Sequence, residues 1–187
     1  MKKIILFGDS ITAGYENGVT DFRLNEEIEA IYTDVEVINA GIPGDTSQGA
    51  LKRVKNHVLR YEPDIVTIFF GANDVSKISG LDINSYQENI LSLVKLIGPE
   101  KVILIGVPYA NQKYYKEERP MFHLESFNEV VKEIAQKQKI NYINLLAAMT
   151  KEEPLELLQD DGLHFSRKGY QLLGKLINNE LRKKEVK

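Results

Sequence analysis

The sequence contains no cysteine, no tryptophan and no long apolar run. Without cysteine, the chain cannot form a disulfide framework, a thiolate-ligated metal site or a cysteine nucleophile. None of its apolar runs approaches the roughly 18 residues of a membrane-spanning helix. The four apolar residues 4–7 that follow the N-terminal lysines are fewer than the roughly 7–15 of a secretory signal core. We therefore expect a cytoplasmic protein with no stable membrane insertion.

The sequence also lacks a large excess of either charge. Its 24 basic and 27 acidic residues give a formal net charge of −3, so we expect no basic surface that would hold nucleic acid. Its 187 residues, 43% of them hydrophobic, are enough for one good core and too few to indicate two domains. We expect a single domain over residues 1–187. No sequence feature indicates an oligomeric state.

Strand and helix patterns alternate along the chain. Five short, almost continuously apolar runs are typical of strands that are covered on both faces, and they lie at residues 3–8, 35–41, 64–71, 101–107 and 140–145. Segments with helical spacing separate them, at residues 21–32, 46–60, 84–97, 122–138 and 166 to the end. This alternation predicts an α/β fold, a single three-layer α/β/α domain with a parallel sheet of about five strands.

The boundaries of these segments carry their own signals. Thr46 and Asn84 are predicted helix caps, and Pro63 and Pro99 follow the ends of two helices. Residues 107–121 show the least pattern and are predicted to form a long loop after the fourth strand.

Polar residues follow four of the predicted elements, in the segments 8–10, 39–45, 71–74 and 160–166. In an open parallel sheet, ligands bind beyond the carboxyl ends of the strands, so these segments are expected to converge. They contain Ser10, and Asp161 with His164, which are the nucleophile, acid and base of acyl transfer. An oxyanion would be held by the N–H groups of Ser10 and Gly41 and by the side chain of Asn73.

The blocks Gly8-Asp9-Ser10, Gly41 within NAGIPGDTS, Gly71-Ala72-Asn73-Asp74 and Asp161-Gly162-Leu163-His164 resemble those of the SGNH hydrolases, also called GDSL-type esterases and lipases. The blocks occur in the family's order. The resemblance implies a flavodoxin-like sheet, serine esterase chemistry and a small-molecule ester substrate, with no cofactor and no metal. It also implies that Ser10, His164 and Asp161 form the triad, and that Gly41 and Asn73 belong to the oxyanion hole. Gly44 has no assured counterpart and is left outside the site.

Substrate specificity is expected to lie in residues 75–82 and 107–123. Val75, Ile78, Pro108 and Tyr109 are assigned to substrate binding, and Tyr114, Tyr115, Met121 and Phe122 are further apolar residues of these loops. The acyl group stays open among short-chain esters, lysophospholipids, thioesters and acetylated sugars.

Three other classes of protein remain compatible with the sequence. A metal-dependent phosphohydrolase would use Asp9, Asp74, Asp161 and His164 as ligands. A flavodoxin-like binding protein would hold a flavin phosphate with Ser10 and Thr12, and an interaction module would keep the fold without chemistry. Under the hydrolase hypothesis, Asp9, Asp45 and Asp74 are turn formers or helix caps, and His57 and His123 are surface residues.

Overall fold

A parallel sheet forms the centre of the computed structural model, which describes residues 1–78 and 80–184. Its strands are β1 (Lys2–Gly8), β2 (Val35–Gly41), β3 (Ile65–Phe69), β4 (Val102–Ile105) and β5 (Asn141–Ile143). Their spatial order is β2-β1-β3-β4-β5, and each neighbouring pair is parallel. This is the flavodoxin-like strand order, and it confirms the predicted five-stranded parallel sheet.

Helices connect the strands and cover both faces of the sheet. They are α1 (Ser10–Ala13), α2 (Arg23–Glu29), α3 (Ser47–His57), α4 (Ile83–Ile97), α5 (Gln112–Tyr115), α6 (Met121–Gln138), α7 (Leu145–Thr150) and α8 (Arg167–Lys183). Two 3₁₀ turns lie at Leu59–Tyr61 and Pro99–Lys101, and a short hairpin pairs Tyr15–Glu16 with Val19–Thr20. Among residues 1–78 and 80–184, no helix combines the length and apolar character needed to cross a bilayer.

The strands divide the core into two apolar layers, because successive side chains of a strand point to opposite faces. In β1, Ile5 and Phe7 belong to the cluster that contains the buried residues of α3, α4 and α6. Ile4 and Leu6 belong to the cluster that contains the buried apolar residues of α2 and α8, with Leu145 and Met149 of α7. The predicted three-layer α/β/α arrangement is therefore confirmed.

One of the two predicted helix caps is wrong. Thr46 caps α3, where its side chain accepts the N–H of Gly49. For α4, however, the cap is Asp82 and not Asn84: the Asp82 carboxylate accepts the N–H groups of Asn84 and Ser85 at 3.1 and 3.0 Å. Asn84 lies inside the first turn, where its own N–H needs an acceptor from the preceding residues.

The loop prediction for residues 107–121 is also wrong in part, because α5 forms within it. The fifth strand is shorter than predicted: Asn144 ends it by capping α7, and its side chain accepts the N–H of Ala147 at 3.1 Å. The last helix, predicted to reach the end of the chain, extends to Lys183, and residues 185–187 lie outside the described residues.

Candidate active site

The first strand ends in a tight connection to α1 that carries Ser10. Gly8 is required there, because a Cβ atom at this position would lie 2.0 Å from the Thr12 hydroxyl oxygen and 2.7 Å from the Phe69 carbonyl oxygen. Asp9 caps α1, since its Oδ1 accepts the N–H of Ile11 at 2.9 Å. Ser10 is the first residue of α1, so its own N–H has no carbonyl within the helix to bind.

The segment before α8 brings His164 to Ser10 although 154 residues separate them. His164 Nε2 lies 3.0 Å from Ser10 Oγ, and His164 Nδ1 lies 2.6 Å from Asp161 Oδ2. The other carboxylate oxygen, Oδ1, accepts the N–H groups of Leu163 and His164 at 2.8 and 2.9 Å. The structure thus brings together the three residues that the sequence assigns to the triad.

The carboxyl group of Asp161 is held in its ionised form. Partial burial opposes ionisation, but the hydrogen bond to the His164 side chain, the two backbone hydrogen bonds and the charge of His164 outweigh it, so the pKa of Asp161 lies below its ordinary value. An ionised carboxylate is the acceptor needed to hold a proton on Nδ1 and to leave Nε2 facing the serine.

Tyr15 packs against His164 and was not singled out from the sequence. Its ring centroid lies 4.6 Å from that of the imidazole, and its carbonyl oxygen accepts the Gln159 side-chain amide at 3.0 Å. The short hairpin that begins at Tyr15 is therefore tied to the segment that carries Asp161 and His164. The only signal in the sequence that Tyr15 belongs to the site is its position five residues after Ser10, and this signal is weak.

Asn73 lies in the turn that follows β3. Its Nδ2 donates to the Asp45 carbonyl oxygen at 2.9 Å and lies 3.5 Å from Asp9 Oδ2. Gly71 begins this turn with a φ of +134°, a conformation that L side chains rarely adopt. The side-chain amide has two N–H groups, and their acceptors in the structure are the Asp45 carbonyl and, at the longer distance, the Asp9 carboxyl.

Gly41, which the sequence assigns to the oxyanion hole, has its N–H bound to a neighbouring side chain. Its N–H donates to the side chain of Asn39 at 2.9 Å, and a Cβ atom on Gly41 would lie 2.3 Å from the Ala13 nitrogen. This residue is thus packed under α1 with its donor already used. Gly44, which sequence reasoning left outside the site, lines the cavity beside Ser10, and within the described part of the chain its N–H has no hydrogen-bond partner.

Ser10 and His164 open into a cavity of about 260 Å³. Its lining residues are Ser10, Tyr15, Pro43, Gly44, Asn73, Leu163 and His164. The four residues assigned to substrate binding are absent from this lining. Val75 is 1% exposed in the core and Pro108 is buried, whereas Ile78 is 82% exposed. Tyr109 is partly buried and donates its N–H to the Met149 sulfur.

The other predicted specificity residues, Tyr114, Tyr115, Met121 and Phe122, also lie outside the cavity lining. The loop that carries them is tied to the turn of Asn73, because the Arg119 Nε donates to the Ala72 carbonyl at 2.9 Å and Glu118 accepts the Ser76 hydroxyl at 2.7 Å. Ser79, within the predicted loop 75–82, lies outside the described residues. Pro43 and Leu163 lie within motifs that the sequence did mark, NAGIPGDTS and Asp161-Gly162-Leu163-His164, and this is the signal by which they could have been found.

The carboxylates proposed as metal ligands in the phosphohydrolase hypothesis bind other partners. Asp74 is buried and accepts the N–H and hydroxyl of Ser47, and burial raises its pKa. Burial, with smaller contributions from Asp74 and Asp45, raises the pKa of Asp9 to about 7 although the Ile11 N–H opposes the shift. In residues 1–78 and 80–184, no three His, Asp or Glu side chains are grouped to hold a metal ion.

Single residues bear on the flavin-binding hypothesis and on the prediction that two histidines lie at the surface. Thr12, which would bind a flavin phosphate, is 1% exposed, and Ser10 contacts His164 instead. His57 is exposed as predicted. His123 is only partly exposed and packs between Phe122 and Phe127, so its prediction as a surface residue is wrong in part.

The comparisons with known proteins identify the chain as a carboxylic ester hydrolase built on this flavodoxin-like sheet. The chain belongs to the GDSL-like lipase/acylhydrolase family, whose model matches residues 6–172. A crystal structure of a lipase/acylhydrolase from Enterococcus faecalis is 42% identical, with a TM-score of 0.94 over 98% of this chain and 97% of that one. An isoamyl acetate-hydrolyzing esterase of Saccharomyces cerevisiae is 28% identical over 97% of this chain and 85% of its own. An arylesterase of Vibrio mimicus is 28% identical over 96% and 88%.

Proposed function

We propose that the chain hydrolyses carboxylic esters of small acyl groups by a serine mechanism in which Ser10, His164 and Asp161 form the triad. The observation that carries the proposal is the unbroken line of contacts from Ser10 Oγ through His164 to Asp161 at the wall of the cavity. The small acyl group is supported by the yeast relative named for isoamyl acetate.

In the first half of the reaction, Ser10 Oγ attacks the ester carbonyl carbon while His164 Nε2 takes the hydroxyl proton. His164 then returns this proton to the alkoxy oxygen as the bond between that oxygen and the acyl carbon breaks, so the alcohol leaves and the acyl group stays on Ser10. In the second half, His164 takes a proton from water, the water oxygen attacks the acyl carbon, and the Ser10 oxygen leaves with the proton. Asp161 keeps the imidazole in the required tautomer and stabilises its protonated form.

The tetrahedral intermediates carry a negative oxygen that needs hydrogen-bond donors. The donors we propose are the N–H of Ser10, the side-chain amide of Asn73 and the N–H of Gly44, which replaces that of Gly41. All three residues line one cavity, and the Ser10 N–H also lies at the positive end of α1.

The proposal is tested with p-nitrophenyl acetate and a serine-directed fluorophosphonate. We expect one label per chain at Ser10, and we expect Ser10→Ala to remove the label and to lower kcat by more than about 10³-fold.

Asn73→Ala should lower kcat by about 10²- to 10³-fold with little change in KM, because an oxyanion donor acts in the transition state. Leu155→Ala, an exposed site, serves as the control. Labelling at another serine, or loss of hydrolysis in EDTA that zinc or magnesium restores, would contradict the proposal.

A further inference from the structure

The side chain of Arg53 lies beneath the active site with its guanidinium almost fully enclosed. It is 11% exposed and makes three hydrogen bonds, from Nη2 to the Gly8 carbonyl at 2.9 Å, from Nη1 to the Ala40 carbonyl at 2.8 Å and from Nε to Asp45 Oδ2 at 2.6 Å. Its guanidinium carbon also lies 4.5 Å from the centroid of the Phe7 ring. Burying a charged group is costly unless it is paired and hydrogen-bonded, as it is here.

Each of the three acceptors is close in sequence to a donor of the proposed oxyanion hole. Gly8 is two residues before Ser10, at the end of β1. Ala40 is at the end of β2 and begins the connection to Gly44. Asp45 follows Gly44 directly, and its carbonyl oxygen is the acceptor that holds the Asn73 amide at 2.9 Å.

The Asp45 side chain is itself fixed at this point. Its Oδ2 is paired with Arg53, while Oδ1 accepts the N–H of Thr46 at 2.9 Å. A Cβ atom on Gly49 would lie 1.8 Å from Oδ1, so the first turn of α3 leaves little room for the carboxylate to move. Arg53 therefore reaches Asn73 through a short, continuous path that runs from the guanidinium to the Asp45 carboxylate and backbone and then to the Asn73 amide.

We propose that Arg53 is a positioning residue for ester hydrolysis, because its guanidinium holds the ends of β1 and β2 and the Asp45 backbone in the arrangement that aims the oxyanion donors. This inference rests on the proposed serine mechanism. Oxyanion stabilisation depends on donors placed about 2.7–3.1 Å from the developing charge, so small displacements of the three segments reduce it. The loss falls on kcat, since the donors act in the transition state.

The first test compares Arg53→Lys and Arg53→Met with Lys52→Met, an exposed control on the same helix. Lysine keeps the positive charge but cannot form three hydrogen bonds in fixed directions. We expect Arg53→Lys to lower kcat for p-nitrophenyl acetate by about 10- to 100-fold, part of the loss that removal of one donor causes, with KM within about twofold. Melting temperature and circular dichroism establish whether each variant is folded. If Arg53→Met does not fold, Arg53→Lys still tests the proposal. A wild-type kcat in Arg53→Lys would overturn the proposal.

A double-mutant cycle separates positioning from a general loss of structure. In the Asn73→Ala background the donor that Arg53 aims through Asp45 is gone, so Arg53→Lys should lower kcat by a clearly smaller factor than in the wild type. The same fold-loss in both backgrounds would overturn the path through Asp45 and Asn73.

The oxyanion role of Asn73 and the positioning role of Arg53 are contradicted by different results. If Asn73→Ala alone leaves kcat unchanged, the oxyanion assignment fails and the role of Arg53 with it, whereas a slow Asn73→Ala with a normal Arg53→Lys overturns only the role of Arg53.

Discussion

At the scale of single residues, Asp9 is the least expected feature of the site. It is 1% exposed and directly precedes Ser10, and its carboxylate caps α1 and lies 3.5 Å from the Asn73 amide. Asp74 and Asp45 are the charged groups that act on it, and both raise its pKa in addition to the larger effect of burial. A negative charge this close to an oxyanion would oppose its formation, so the raised pKa suits the proposed chemistry.

The substitution Asp9→Asn tests the raised pKa of Asp9 through the pH dependence of the unfolding free energy. The pKa of Asp9 is about 7 in the folded chain, against about 3.9 for an unfolded aspartate. Between these values the folded state binds more protons, so the stability that Asp9 contributes is present below the unfolded pKa and is lost as the pH rises through 7. Asparagine does not ionise. The unfolding free energy of Asp9→Asn relative to wild type should therefore increase from pH 5 to pH 8, by up to about 3 kcal/mol.

The measurement for Asp9 is urea unfolding of both proteins at the two pH values. Asp34→Asn, at an exposed position, is the control, and its difference from wild type should be the same at both. A difference between Asp9→Asn and wild type that does not change with pH would show that Asp9 is already ionised at pH 5.

At the scale of elements, the termini of α3 and α4 illustrate how caps are chosen. Both helices follow segments rich in polar side chains, and in each the cap is the residue whose oxygen reaches the N–H two or three positions ahead. Thr46 meets this condition for Gly49, and Asp82 meets it for Asn84 and Ser85. Asparagine is a residue type typical of helix caps, but Asn84 is the second residue of α4 and so lies within the helix.

The corrected cap of α4 leads to a direct comparison of two substitutions. Asp82→Ala removes the acceptor of two N–H groups, so we expect the melting temperature at neutral pH to fall by about 2–4 °C. Asn84→Ala removes no cap and introduces the best helix former, so its melting temperature should stay within about 1 °C of wild type. Thermal unfolding followed by circular dichroism checks both. A larger fall for Asn84→Ala than for Asp82→Ala would return the cap to Asn84.

At the scale of the whole molecule, the site joins the two ends of the chain. Ser10 follows the first strand and His164 precedes the last helix, and the Tyr170 hydroxyl of α8 donates to the Ile11 carbonyl of α1 at 2.8 Å. The core clusters likewise combine residues from both ends, with Ile4 and Leu181 in the same one. We propose on this basis that residues 1–187 form a single domain that unfolds as one unit.

Unfolding in urea tests the single domain. Enzymatic activity and circular dichroism at 222 nm should be lost at the same midpoint, because the site exists only when both ends are folded. Leu173→Ala, at a fully buried position of α8, should lower both midpoints together and cost about 2–5 kcal/mol. Leu155→Ala, which is 57% exposed, should leave both in place. Activity that disappears well before the circular dichroism signal would mean that the site region unfolds separately.

The sequence by itself determined the layered fold, and it indicated the three residues that we propose as the triad. The strand predictions succeeded because strands that are buried on both faces must be almost continuously apolar, a local property. Asp161 and His164 are three residues apart, so one turn presents both. The strand order places the carboxyl ends of β1, β2 and β3 side by side, with Gly8 opposite both Gly41 and Phe69, so the segments after these strands meet at one edge of the sheet.

Only the tertiary structure decided which side chains line the cavity and which backbone N–H groups beside it lack a partner in the described residues. Gly41 ends β2 with its N–H bound to Asn39, whereas Gly44 lies in the following turn with a φ of +77° and lines the cavity. The cavity wall includes Tyr15 and not Tyr109, whose backbone N–H donates to the Met149 sulfur. The role of Arg53 has no local signal at all, since a lysine-rich and arginine-rich helix face usually meets solvent. Its three acceptors come from distant segments, and only packing brings them around one guanidinium.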